Sequence, residues 1–144
     1  MPSRHLDPEQ SRRYAEHRYD FNRKSLAGRV VLVPGGAGGL GAAIAAILVQ
    51  DGAIPVVGYR SNKGNALAFQ QRLQDVYGGL VHLVEGDVAD PEARKRYIEA
   101  ALAVKGEIYG VVALTGDPAR VKGGEIDGAA LHASFTANFE APVL

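Results

Sequence analysis

A doubly wound parallel α/β sheet is what this sequence predicts, and three observations predict it. From Leu26 onward, short runs rich in Val and Ile alternate with longer stretches of mixed polarity. The runs are apolar at every position instead of every second one, as strands of a parallel sheet covered on both faces are. The first run also passes, through a turn holding five glycines in seven positions, into an alanine-rich stretch. Such a strand–turn–helix join opens a βαβ unit. Right-handed crossovers then give the strand order 3-2-1-4 over about four strands.

Residues 1–25 stand apart, charged and poor in aliphatic side chains. Asp7-Pro8-Glu9-Gln10 has the order of a helix start, with Asp7 as N-cap, Pro8 in the first turn and Gln10 at the capping-box position. A short polar helix is expected to about Arg18. The segment is either a partly ordered extension or an arm that docks on a partner subunit through Tyr14, Tyr19 and Phe21.

Residues 26–144 form the expected domain. Val30–Val33 is the first strand, and the helix after it covers 42–50, starts near Gly39 and stops at Asp51-Gly52. A strand at 54–58 leads to an amphipathic helix at 65–76, closed by Gly78-Gly79. The third strand is placed at 80–84. Asp90 caps a helix with Pro91 at its first position, which runs to about Val104 and is stopped by Gly106. A fourth strand at 108–114 leads through a loop with Gly116, Pro118 and Gly123-Gly124 to a last helix at 129–138.

A length of 144 residues with 47% hydrophobic side chains suits one domain with a core. Formal net charge is zero, which gives no electrostatic argument for a nucleic-acid partner. There is no cysteine for a disulfide or a thiolate metal site. His5, His17, His82 and His132 show no ligand spacing, so no metal is expected. No apolar run is long enough to span a bilayer and no secretory leader is visible, so a cytoplasmic protein without a membrane partner is expected.

The glycine turn carries the chemistry. Gly35, Gly36, Gly38, Gly39 and Gly41 are costly unless the backbone must bend sharply and lie close to something. A helix opening there aims unpaired amides and a partial positive charge into the turn, which attracts phosphate. Several glycine frames fit a dinucleotide fingerprint: Gly36-x-Gly38-x-x-Gly41, Gly35-x-x-Gly38-x-x-Gly41 and Gly35-x-x-x-Gly39-x-Gly41.

At this point the chain resembles the short-chain dehydrogenase/reductase family, in its compact-subunit branch. That family's Thr-Gly-x-x-x-Gly-x-Gly turn is matched in place by Gly35, Gly39, Leu40 and Gly41. Gly86-Asp87-Val88 looks like its adenine-binding Asp-Val. The segment from Val111 to Thr115-Gly116 takes the place of its Asn-Asn-Ala-Gly, and Asn138-Phe139-Glu140-Ala141-Pro142 is similar to its Asn-containing helix motif. The resemblance covers about residues 26–144 and implies a Rossmann-type domain, incomplete at its C-terminal end. It implies an oxidoreductase moving hydride between nicotinamide and a small carbonyl or alcohol substrate. The cofactor residues it implies are Gly35, Gly38, Gly39, Leu40, Gly41, Arg60, Ser61, Asp87, Val88, Thr115 and Gly116, with the Asp87 carboxylate accepting from the adenine amino group.

Cofactor choice turns on the end of the second strand, where an acid selects NAD and a base accommodates the NADP 2′-phosphate. Tyr59 stands where the NAD-selecting Asp would be, followed by Arg60, Ser61 and Lys63, so NADP(H) is expected over NAD(H). Asn138 is the one position of the family's catalytic group within these residues. No Tyr-x-x-x-Lys follows it, and Ser134 reads as an ordinary helix residue. The family's Thr and its paired Asn are replaced by Pro34 and by Ala113-Leu114, and Pro34 is expected to pack on Leu114. Three readings stay open: the cofactor half of an enzyme completed elsewhere, a non-catalytic nucleotide-binding or interaction module, and an inactive fragment. An open apolar edge at strand four would lead such a chain to form a homo-oligomer or to pair with a C-terminal complementing chain.

Overall fold

The computed structural model describes residue 9, residues 20–116 and residues 127–143. β1 (Val30–Val33) and β2 (Ile54–Tyr59) form the centre of the sheet. β3 (His82–Glu85) lies beside β2, and β4 (Gly110–Val111) beside β1. The strands are parallel in the order β3-β2-β1-β4, the expected one. Val30 faces Ile54 in one register and Val31 faces Gly110 in the other.

Side chains alternate across the sheet, so each strand feeds two cores. Val31, Val33 and Val57 meet Leu48 and Val49 of α1 (Gly39–Gln50) and Leu73 of α2 (Lys63–Tyr77). Val30, Leu32 and Val56 meet Tyr97 and Ala101 of α3 (Pro91–Lys105) on the opposite face. These two layers explain why the central strands are apolar at consecutive positions. Asn62 and Asp90 cap α2 and α3 by accepting from Asn65 and Glu92 amides, and Pro91 opens α3 as expected. The loop before β1 is tied to the end of α1 by buried Asp51, whose carboxylate accepts from the Ser25 and Leu26 amides at 3.0 and 3.1 Å.

Several expected boundaries move. α1 begins at Gly39, as expected, but α2 begins at Lys63 and β2 runs on to Tyr59. β3 starts at His82 because Leu80, 62% exposed, does not reach the sheet. The fourth strand is two residues instead of seven, although the amides of Tyr109, Val112 and Leu114 still bond to Val30, Leu32 and Pro34 carbonyls. The last helix is interrupted. α4 (Gly128–Phe135) widens into a π-helical turn (Thr136–Glu140) before α5 (Ala141–Val143). There the Ala141 amide reaches back five residues to the Thr136 carbonyl. Pro142 explains the widening, because its ring cannot seat against the carbonyl four residues earlier in a regular α-helix.

The main chain joins Pro34 to Leu114. The Leu114 amide donates to the Pro34 carbonyl at 3.1 Å. Leu114 then packs on the core under α1, while Pro34 lines a pocket on the α3 face with Leu32 and Ala113. The expected N-terminal helix lies outside the described residues apart from Glu9, which is helical. So do the side chains of the expected arm, Tyr14, Tyr19 and Phe21, and the loop residues Pro118, Gly123 and Gly124.

Candidate functional site

The turn between β1 and α1 is built by three glycines that internal packing requires. Gly35 has φ +77°, and a Cβ there would stand 2.8 Å from the Leu114 carbonyl oxygen. A Cβ on Gly36 would strike Val33, and one on Gly41 would stand 2.6 Å from the Gly36 Cα. Gly38 and Gly39 are different. A Cβ on Gly39 would meet nothing within 4 Å, and one on Gly38 would approach only the Gly35 oxygen at 3.8 Å. Their bareness serves no internal contact; it opens the main chain to the outside.

Gly38 is the N-cap of α1 and offers no side-chain hydrogen bond. The first intrahelical bond runs from the Ala42 amide to the Gly38 carbonyl at 2.8 Å. The amides of Gly39, Leu40 and Gly41 precede that bond and have no partner within the helix. An uncapped, glycine-lined helix start with α1's partial positive charge is suited to a phosphate oxygen. Gly39 and Leu40 are exposed there, whereas Gly41 is buried behind the turn.

Two clefts flank this turn along the C-terminal ends of the strands. One, of about 370 Å³, is lined by Gly35, Arg60, Asp87, Val88, Thr115 and Gly116 together with Leu114 and Ala137. Six of the residues expected from the sequence therefore converge on one cleft. The second, about 330 Å³, lies between Gly35, Gly38 and the β2–α2 loop, where Arg60, Ser61, Asn62 and Asn65 stand. Arg60 borders both.

The charges between the clefts are paired. Arg60 Nη1 lies 3.8 Å from Asp87 Oδ2, with side chains 76% and 48% exposed, so the pair is open to water. Such a pair is weak and easily exchanged for a stronger ligand contact. The Tyr59 hydroxyl donates to Glu85 Oε2 at 3.1 Å. Burial first, then that bond and the Glu85 charge, push the Tyr59 phenol above its ordinary value. The sequence reading had no place for Glu85, which β3 carries next to Tyr59 in the sheet register.

Asn138 sits in the π-helical turn, where its Nδ2 donates to the Ser134 carbonyl at 2.8 Å and approaches Ser134 Oγ at 3.2 Å. Its Oδ1 faces Gly116, where a Cβ would stand 2.6 Å away. Ser134 thus serves as the seat of Asn138. Among the described residues, no three His, Cys, Asp or Glu side chains gather into a metal site. None of the described helices is long and apolar enough to cross a membrane.

Residues 29–144 match the short chain dehydrogenase family. An uncharacterized oxidoreductase of Methylorubrum extorquens is 37% identical over 83 residues, covering 58% of this chain and 33% of the relative. An L-rhamnose 1-dehydrogenase (NAD(P)(+)) of a Sphingomonas species is 31% identical over 93 residues, covering 65% of this chain and 36% of the relative. The crystal structure of a dehydrogenase/reductase from Sinorhizobium meliloti superposes with a TM-score of 0.79 at 28% identity, covering 85% of this chain and 48% of that one. The chain spans about a third of the length of the curated relatives it matches.

Proposed function

The chain belongs to the short-chain dehydrogenase family, and on that premise we propose that it is the nucleotide-binding part of an NADP(H)-dependent oxidoreductase. The carrying observation is the uncapped α1 start between Gly38 and Gly41, bordered by two clefts that share Arg60. In this reading the amides of Gly39 and Leu40 take the pyrophosphate, and the cleft with Asp87, Val88, Thr115 and Gly116 receives the rest of the dinucleotide. Arg60 leaves Asp87 for the 2′-phosphate, with Ser61 adding a hydroxyl donor. When bound, the nicotinamide supplies or accepts the hydride for a small carbonyl or alcohol substrate. These 144 residues hold Asn138 but no Tyr-x-x-x-Lys after it, so their part is to bind and orient the nucleotide.

A second reading, use of NAD(H) as well, is favoured by Glu85. That carboxylate stands beside Tyr59 at the strand end where ribose hydroxyls are gripped, and the matched rhamnose dehydrogenase carries both nucleotides in its name. Dissociation constants for NADPH and NADH at one ionic strength separate the two. NADPH is expected to bind at least tenfold tighter, and Arg60→Ala to remove about that factor for NADPH alone. Equal constants would favour the second reading, and a chain that binds neither would overturn both.

A further inference from the structure

The segment Gly86–Ala89 carries Asp87 and Val88 into the cleft, and what holds it in place comes from α3. Arg94 and Tyr97 lie three residues apart, hence on one face of that helix. Arg94 Nη1 donates to the Val88 carbonyl at 2.7 Å and to the Ala89 carbonyl at 3.3 Å. The Tyr97 hydroxyl donates to the Gly86 carbonyl in a short bond. Asp87's own carbonyl accepts from the Asp90 amide at 2.9 Å, so each carbonyl from Gly86 to Ala89 has a donor.

Two glycines make this approach feasible. A Cβ on Gly58 would stand 3.0 Å from Tyr97 Cζ, and one on Gly86 would stand 2.7 Å from the Ala93 Cβ. Tyr97 itself is 2% exposed and packs in the core with Val56, while Val88 rests against that same core. With its carbonyls turned toward α3, the segment presents the Asp87 carboxylate and Val88 to the cleft.

The geometry points to Arg94 and Tyr97 as positioning residues for recognition of the adenine ring. They act from beneath the segment and do not line the nucleotide cleft. The inference rests on the nucleotide reading above and deepens it. Tyr97 sets the depth of the segment through Gly86, and Arg94 sets its rotation through Val88. Together they aim the Asp87 carboxylate at the ring's exocyclic amino group. Loss of either lets the carboxylate swing, which affects discrimination of the base more than grip on the phosphates.

The test compares NADPH with its deamino analogue, which carries hypoxanthine in place of adenine, on the full chain and at a temperature where every variant is folded. Wild type is expected to hold NADPH about tenfold tighter than the analogue, the scale of one hydrogen bond to a charged acceptor. Tyr97→Phe and Arg94→Met are expected to shrink that ratio to about twofold, and Arg94→Lys, which keeps a donor, to restore most of it. Variants that melt earlier but keep the wild-type ratio would overturn the proposal, since a merely structural role lowers stability without touching base discrimination. A wild type that binds both nucleotides equally would overturn it too, leaving the nucleotide reading intact. Binding of neither overturns that reading and this one together. Should Tyr97→Phe fail to fold, the Arg94 pair decides alone.

Discussion

On the β2 side of β1 helices close over both faces of the sheet, and on the β4 side the cover is partial. Toward β2, all four residues of β1 and residues 55–58 of β2 are buried, and Val56 is 0% exposed. Toward β4, Val111 is 59% exposed, and none of the residues Gly128–Phe135 is buried. Tyr109 is 55% exposed there, with the Arg29 guanidinium 4.9 Å from its ring centre. Both sides carry apolar runs. Burial is therefore a property of neighbours, and the β2 side finds them in α1, α2 and α3 while Val111, among the described residues, does not.

The largest effect expected from this contrast lies where the two sides meet. Gly35 links the nucleotide turn to Leu114 on the β4 side, and Gly35→Ala forces both a positive φ and a clash with a carbonyl. It should cost about 3 kcal/mol and abolish nucleotide binding, read by thermal melting and by titration. A mutant that melts like wild type would mean the turn is loose.

Next in size is a matched pair of truncations. Val56→Ala should destabilise by roughly 2 kcal/mol, while Val111→Ala should stay within about 0.5 kcal/mol. Equal losses in denaturant titration would show that β4 is covered in solution, by a second copy or by another chain.

A pH effect belongs to the face of the sheet that α3 covers. Burial first, and then the nearby Asp87 charge, raise the Tyr97 pKa from 10.0 to about 12. The folded state favours the neutral phenol, so its contribution is whole below pH 10 and is lost as the pH rises through 12. Melting temperature should fall across that window, and Tyr97→Phe should flatten the fall. The smallest expected difference concerns helix caps. Asp90→Ala should cost about 1 kcal/mol in global stability, since α3 is packed. Asp127→Ala should fray α4 locally, seen as faster amide exchange at Ala130 and Leu131 with an unchanged melting point.

Much of this was legible in the residues. The strands at Val30 and Ile54, the helix start at Asp90-Pro91 and the order 3-2-1-4 follow from apolar runs and capping chemistry, which are local. Six of the eleven residues assigned to the cofactor line one cleft. What escaped was set by tertiary neighbours. The length of β4 depends on pairing, and a run of apolar residues at 108–114 does not show that only one side is paired. The π-helical turn at Thr136–Glu140 follows from Pro142 acting on residues before it, which a helical period cannot reveal. Pro34 and Leu114 were assigned to a side-chain contact, and the bond that joins them runs through the main chain, which side-chain chemistry does not announce. Arg94 and Tyr97 looked like ordinary residues of an amphipathic helix; their partners are carbonyls, which leave no mark in a sequence.

Amide chemical shifts of the isotope-labelled chain during NADPH addition address the phosphate-binding role of the α1 start without intermediaries. The account predicts that Gly38, Gly39 and Leu40 shift most and saturate together with the binding curve, with Asp87 and Val88 following. Saturable binding that leaves those three amides unmoved, or no binding at all, would contradict it.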